Sequence, residues 1–132
     1  GFNTNEYQAL RSIPGIGPVF AAGILSEIGS IKQFDSNESL AKYAGITWRK
    51  RQSGNFEADD TEMTKTGNHY LRYYLVQAAN LTRRFAPEYA EYYQKKFDQG
   101  KTHQHKRALA LTTRKLIRLI YGLMSKHQLY QR

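Results

Sequence analysis

The sequence contains no cysteine, no long apolar run, and only 11 acidic residues against 20 lysines and arginines. Without cysteine the chain has no disulfide and no thiolate metal site, and it is compatible with a reducing compartment. A mean hydropathy of −0.68 argues against a membrane-spanning helix. The first residues show no secretion signal, so we expect a cytoplasmic protein. Its first residue is Gly1 rather than Met, which is typical of a fragment of a longer protein.

Positive charge and aromatic residues are abundant in a chain of 132 residues, a length that suits one domain. The formal net charge is +9, and there are ten tyrosines and six phenylalanines. This excess of cations favours a polyanion, above all nucleic acid, as the partner. The alternatives are that the charge serves solubility or binds an acidic protein.

Helix signals dominate, and they predict an all-α domain of five to six helices with one long polar loop. The polar residues 46–67 lack a sustained period and predict that loop, which carries at most one short irregular strand pair. The predicted helices are Asn5–Arg11, Pro18–Ile28, Ser36 or Asn37 to just before Gly45, Asn68–Phe85, Glu88–Phe97, and His105–Lys126.

Two of these helices pair an apolar stripe with a cationic one. The alternative is that the cations form an ordinary solvated face. In the helix from Asn68 the predicted buried residues are Leu71, Tyr74, Leu75, Ala78, Thr82 and Phe85, with Arg72 and Arg83 opposite. In the last helix they are Leu109, Leu116, Ile120 and Leu123, with Arg107, Arg114 and Arg118 opposite. The second helix is predicted to bury Val19, Phe20, Ala22, Ile24 and Ile28.

The segment LRSIPGIGPVFAAGIL resembles a helix-hairpin-helix motif. Gly15 and Gly17 allow a sharp turn and a close approach to a partner, and the next helix directs its positive end at that turn. This geometry suits a phosphate of the nucleic-acid backbone, with Arg11 as a second contact. The alternative is a purely structural tight turn. The apolar residues predicted to anchor the turn in the core are Ile13 and Ile16.

The histidines and carboxylates do not form a convincing metal site in the sequence, so we expect no metal or cofactor in this domain. His103 and His105 are two residues apart and diverge on a helix. No cluster of ligands completes a tetrahedral site. An acidic patch has the chemistry for a hard cation such as Mg²⁺, but such loops are more often solvated; its members are Glu57, Asp59, Asp60 and Glu62.

Several motifs in a fixed order resemble the C-terminal domain of transposases of the insertion-sequence 110/116/902 family. They are IPGIGPVFAAGILSEIG, FDSNESLAKYAGI, RQSG, TKTGNHYLR, EYAEYY and TRKLIRLIY, and together they span nearly the whole chain. The resemblance implies one C-terminal domain over residues 1–132, with a hairpin part (1–45), a catalytic-type loop (46–67) and a helical part (68–132). It also implies a ribonuclease-H-like N-terminal domain, absent from this chain, whose acidic residues bind divalent metal such as Mg²⁺.

The resemblance further implies that a serine in the loop carries out strand exchange, and we assign it to Ser53 in RQSG. The alternative is that Ser53 is an ordinary loop serine without a catalytic role. The sequence departs here from the glycine-rich, double-serine form that is common in the family. The cations beside Ser53 are suited to balance charge on a phosphoryl group, and a lysine before the helix from Asn68 marks an anion site. These residues are Arg49, Lys50, Arg51 and Lys65.

The expected partners are DNA and a structured guide RNA, the bridge RNA of the family's elements, and the full-length enzyme is expected to be a homo-oligomer. The host is then a bacterium or an archaeon, with the protein near the nucleoid. Two other functions stay open. One is a non-catalytic helix-hairpin-helix module that binds nucleic acid. The other is a protein-assembly domain that acts through the tyrosine-rich helix Glu88–Phe97.

Overall fold

A computed structural model describes residues 4–49, 62–63 and 67–131. Within these ranges the chain forms six α-helices, one 3₁₀ turn and one two-stranded antiparallel pair, so the predicted all-α fold is confirmed. The elements are α1 (Thr4–Arg11), α2 (Pro18–Ile28), the 3₁₀ turn (Ile31–Gln33), α3 (Asn37–Ala44), β1 (Trp48–Arg49), β2 (Glu62–Met63), α4 (His69–Phe85), α5 (Pro87–Gln99) and α6 (Gln104–Lys126).

The helix ends follow local capping signals, so the predicted boundaries lie within two residues of the observed ones. Pro18 occupies the first turn of α2, and Gly29 ends that helix with a φ of 72°. Ser36 begins α3 with a capping box to Ser39. Gly45 ends α3 in the left-handed conformation, with a φ of 75°.

The core is arranged around α6, which contacts α1, α3, α4 and α5. Two of its residues, Leu116 and Ile120, are completely buried, as predicted. Leu109 and Leu123 are only partly buried and pack at the edge of the core. Because α6 has neighbours on several sides, its polar face also contacts protein.

Two apolar residues that were predicted to be buried are exposed. Val19 is 75% exposed in the first turn of α2, and Phe85 is 64% exposed at the last residue of α4. Both stand at helix ends, where the chain leaves the helix and fewer neighbouring residues cover a side chain. The predicted stripe of α4 is otherwise confirmed at Leu71, Leu75 and Ala78, all completely buried.

The polar segment between α3 and α4 begins and ends in a short ladder. Trp48 pairs with Met63 and Arg49 with Glu62 in antiparallel register. Residues 50–61 lie between these two strands in the chain. Among the described residues, no helix is long and apolar enough to cross a membrane.

Candidate nucleic-acid interface

A surface groove of about 580 Å³ lies at the turn between α1 and α2. Its wall is continuous in sequence from Arg11 to Phe20, and Leu81 of α4 closes it from the other side. Ile13 and Ile16 hold the turn in the core, as predicted, with exposed fractions of 1% and 3%. The groove is therefore formed by a rigid turn whose inner side is fixed by apolar packing.

The two glycines of the turn have different roles. Gly15 has a φ of +92°, and a Cβ there would lie 2.6 Å from the backbone nitrogen of Thr82. Its close approach is thus to α4 of the same chain, and this corrects the prediction that Gly15 admits a partner. A Cβ added at Gly17 would have no atom within 4 Å. Of the two, Gly17 alone leaves space for a ligand.

The first turn of α2 directs backbone amides at this open space. The first helical hydrogen bond runs from the Ala21 amide to the Gly17 carbonyl, over 2.9 Å. The amides of Val19 and Phe20 therefore have no acceptor within the helix. Gly17 provides no side-chain cap. Together with the helix dipole, these donors favour an anion beside Gly17.

Arg11 borders the same groove and its side chain is exposed. Its Nη1 atom lies 3.4 Å from the Tyr7 hydroxyl oxygen, and its Cζ atom lies 6.0 Å from the centroid of the Tyr7 ring. The turn thus brings together two of the predicted binding features, Arg11 and the start of α2 at Gly17.

The predicted cationic stripe of α6 is only partly on the surface. Arg118 is exposed. Arg107 is half-buried, and its Nη1 donates to the carbonyl oxygen of Lys96 in α5. Burial lowers the pKa of Arg114, and the like charge of Arg118 lowers it further. The predicted exposed stripe is therefore confirmed at Arg118 only, because Arg107 and Arg114 are half-buried and Arg107 contacts α5.

The cations predicted on α4 are also partly enclosed. Arg72 is half-buried. Arg83 is half-buried, with its guanidinium carbon 4.1 Å from the centroid of the Tyr93 ring in α5. Its Nε donates to Asn80 over 3.0 Å. Arg83 thus connects α4 to α5, which corrects its prediction as a surface residue.

A hydrogen-bond cluster fixes the point where the polar segment returns to the helices. The side-chain oxygen of Asn68 accepts from the amides of Tyr70 and Leu71, each over 3.0 Å, and so caps α4. Its Nδ2 donates to Glu27 over 3.0 Å and to the Tyr43 hydroxyl over 3.3 Å. The sequence does not reveal the contacts with Glu27 and Tyr43, because these residues are 41 and 25 positions away in the chain.

Backbone packing brings the two ends of the polar segment together. The Asn68 amide donates to the Tyr43 carbonyl over 2.7 Å. A Cβ on Gly67, whose φ is +108°, would collide with that carbonyl oxygen and lie 3.1 Å from the Gly45 amide nitrogen. Residues 45 and 67 are thus neighbours, and the positive φ values of Gly45 and Gly67 permit this closure.

Replacing Asn68 by alanine removes the cap of α4 and both bonds to the preceding helices. We expect the free energy of unfolding to fall by about 1–2 kcal/mol, the usual cost of losing an N-cap. Thermal unfolding followed by circular dichroism measures this as a lower Tm. Asn68→Ser retains the cap acceptor but not the long-range bonds, so its Tm is expected to lie between those of Asn68→Ala and the unmodified chain. Equal Tm values for Asn68→Ala and the unmodified chain would contradict the role of the cluster.

Several predicted site residues lie outside the part of the chain that the structure describes. They are Lys50, Arg51, Ser53 and Lys65, together with Glu57, Asp59 and Asp60 of the acidic patch. For Arg49 and Glu62 only the backbone is described. The roles assigned to all of these residues stay predictions.

The histidines within the described residues do not converge on a metal. His105 Nδ1 and the Tyr93 hydroxyl share a hydrogen bond of 2.6 Å. No group of three or more His, Asp or Glu side chains is placed to hold a metal ion in ranges 4–49 and 67–131.

Comparison with known proteins places this architecture in a family. Residues 7–94, well over half of the chain, match the model of the Transposase IS116/IS110/IS902 family. The chain is 41% identical to the putative transposase y4rJ of Sinorhizobium fredii over 81 residues, which cover 61% of this chain and 20% of that protein. It is 34% identical to the transposase for insertion sequence element IS1111A of Coxiella burnetii over 74 residues, 56% of this chain and 20% of that protein.

A longer match extends over nearly all of the chain. The chain is 29% identical to the pilin gene-inverting protein of Moraxella lacunata over 127 residues, which cover 93% of this chain and 38% of that protein. The chain thus spans between about one fifth and two fifths of the length of these relatives. With the family model matched across α2, α3 and α4, the chain belongs to the IS116/IS110/IS902 family of transposases.

Proposed function

We propose that this chain is the nucleic-acid-binding C-terminal domain of a transposase that moves an insertion sequence. In this proposal the groove at Gly17 binds the DNA backbone, and Ser53 takes part in strand transfer. The observation that carries the binding part is the open start of α2, with two amides directed past Gly17 and Arg11 on the same groove. The net charge of +9 supports a polyanionic partner.

The groove suits a phosphate better than a base. Amides at a helix start bind any anion of the right size, and they do not distinguish one nucleobase from another. The apolar wall beside them fits the sugar face of a backbone. Sequence selection must then come from elsewhere, which agrees with the expected role of a bridge RNA in choosing the target and donor DNA.

Replacing Gly17 by aspartate separates binding from folding. The backbone there is extended, with φ −83° and ψ −177°, and the space is open, so the side chain fits. Aspartate is also a better N-cap than glycine by a few tenths of a kcal/mol, so stability should be kept or slightly raised. The carboxylate would occupy the anion position, and we expect affinity for duplex DNA to fall about tenfold or more, as for the loss of a charge-assisted contact.

Fluorescence anisotropy with a labelled duplex, repeated over a range of salt concentrations, measures this effect. The matched control is Gly17→Ala, which adds a Cβ without charge and should keep most of the affinity. Binding by the unmodified chain should weaken steeply as salt rises, because phosphate contacts release counterions. Unchanged duplex affinity in Gly17→Asp, or affinity insensitive to salt, would sink the proposal.

The assembly alternative is less well supported by the structure. Tyr89 and Tyr93 of the tyrosine-rich helix α5 are only 3% and 8% exposed. Their rings pack within the domain and are not available to a partner. The oligomeric state of the complete enzyme stays an expectation, as does its location near the nucleoid.

The catalytic part of the proposal rests on the family and on local chemistry. One relative is named a pilin gene-inverting protein, a name that describes DNA rearrangement. By analogy, Ser53 would attack a phosphodiester in the complete enzyme, with Arg49, Lys50 and Arg51 balancing the phosphoryl charge. The acidic residues that hold Mg²⁺ are expected in the N-terminal domain. The isolated chain is therefore expected to bind nucleic acid without cleaving it.

A further inference from the structure

Two tyrosines on the first turns of α4 are exposed to solvent although they lie on a well-packed helix. Tyr70 is 62% exposed and Tyr73 is 59% exposed. They are three residues apart, so their side chains leave the same side of the helix with Cβ atoms about 5–6 Å apart. Neither residue was singled out by sequence reasoning. Large apolar rings held in water on a rigid helix indicate a contact surface.

These rings extend into two groups of contacting aromatic side chains, together called the aromatic row: His69 with Tyr70, and Tyr73 with Tyr74 and Phe20. The centroids of His69 and Tyr70 are 4.3 Å apart, those of Tyr73 and Tyr74 are 5.8 Å apart, and those of Tyr74 and Phe20 are 6.5 Å apart. Tyr74 is fixed by packing over Gly23 of α2.

The row connects the two regions that the proposed function uses. At one end Asn68, the cap of α4, closes the polar segment that contains Ser53. At the other end Phe20 lines the groove beside Gly17. A nucleic-acid strand bound in the groove and directed toward the polar segment would therefore pass over the exposed rings.

Charge decides which partner suits this surface. The nearest described carboxylate, that of Glu27, is already bonded to Asn68. A second copy of the chain would carry the same net charge of +9 and be repelled. Exposed aromatic rings on a domain of high positive charge are instead typical of proteins that bind single-stranded nucleic acid.

We propose that Tyr70 and Tyr73 form a stacking platform for unpaired nucleobases. The platform suits unpaired bases, because their faces are free to stack on exposed rings, whereas the faces of paired bases are already stacked inside a duplex. Stacking on tyrosine uses the face of a base and does not require a particular sequence. This inference rests on the proposed function, since it names the state of the nucleic acid that the domain binds.

The test compares Tyr70→Ala and Tyr73→Ala with Tyr70→Phe and Tyr73→Phe. A short single-stranded oligonucleotide containing a fluorescent adenine analogue reports stacking by quenching, and anisotropy reports affinity. We expect each alanine variant to bind single strands about 5- to 150-fold more weakly, and the phenylalanine variants to keep both affinity and quenching. DNA and RNA versions of the oligonucleotide identify which strand the platform prefers. Phe85→Ala is the matched control, because Phe85 is 64% exposed on the same helix but outside the row.

Three outcomes would overturn the platform: unchanged single-strand affinity in both alanine variants, an equal loss of affinity for single strands and duplex, or loss of self-association instead of nucleic-acid binding. Sedimentation of the same variants measures the last. Gly17→Asp, tested in parallel on duplex, addresses the groove alone. If Gly17→Asp keeps its duplex affinity while the tyrosine variants lose single-strand affinity, the groove proposal fails and the platform stands. If Gly17→Asp loses duplex affinity while the tyrosine variants keep single-strand affinity, the platform fails and the groove stands.

Discussion

Gly15→Ala is expected to destabilise the domain strongly, although it adds a single methyl group at a turn. The φ of +92° is unfavourable for any residue with a Cβ. That Cβ would also lie 2.6 Å from the Thr82 nitrogen and 2.8 Å from the Leu81 carbonyl carbon. These are backbone atoms of α4, so they cannot rotate out of the way.

The expected size of the effect follows from adding the two costs. Left-handed strain costs about 1–3 kcal/mol, and separating two packed backbones costs about 1–3 kcal/mol. A loss of about 2–6 kcal/mol is a large fraction of the roughly 5–15 kcal/mol that stabilises an ordinary domain. Guanidinium titration followed by the helical circular dichroism signal measures it as a lower midpoint.

Gly17→Ala is the control for this prediction, because it makes the same chemical change two residues away. Its backbone is extended, and a Cβ there would have nothing within 4 Å. The gain from a less flexible unfolded chain and the loss from a poorer N-cap are both below about 1 kcal/mol and of opposite sign. Similar midpoints for Gly15→Ala and Gly17→Ala would refute the packing role of Gly15. A binding defect in Gly15→Ala should be attributed to unfolding.

The sequence predicted those features of the fold that depend on neighbouring residues in the chain. Pro18, Gly29 and Gly45 mark helix ends because capping depends on a few neighbouring residues. The apolar stripe of α4 was predictable for the same reason, since burial of one helix face appears directly in the periodicity. Family membership was also accessible, because several spaced motifs occur in the right order.

Long-range packing explains what the sequence left hidden. Arg107 and Arg114 have the spacing of a solvated stripe, but their long aliphatic stems allow them to pack where α5 covers α6. In the sequence Gly15 predicts a close approach to a ligand, whereas in the fold it packs against the backbone of α4. The exposure of Tyr70 and Tyr73 depends on the positions of the other helices, and the periodicity of apolar residues in the sequence does not give those positions.

Ser53→Ala in the full-length transposase that contains this domain is expected to abolish DNA strand cleavage. If the Ser53 hydroxyl attacks phosphorus, its oxygen forms the new P–O bond as the leaving strand's oxygen departs. A methyl group cannot form that bond. Loss of a nucleophile typically lowers the rate by about a thousandfold or more. Binding should be unaffected, because the groove and the aromatic row are formed by other residues.

The measurement joins a cleavage assay with detection of a covalent protein–DNA adduct under denaturing conditions. Wild-type enzyme should form the adduct with a scissile substrate, and Ser53→Ala should not. Ser125→Ala is the matched control, since Ser125 is exposed near the end of α6 and outside every proposed site. The ladder between β1 and β2 and the contact of Gly45 with Gly67 hold the ends of the Ser53 segment beside the start of α4. Cleavage by Ser53→Ala at the wild-type rate would show that Ser53 is not the nucleophile. The phosphate groove and the stacking platform are decided separately, by their own binding measurements.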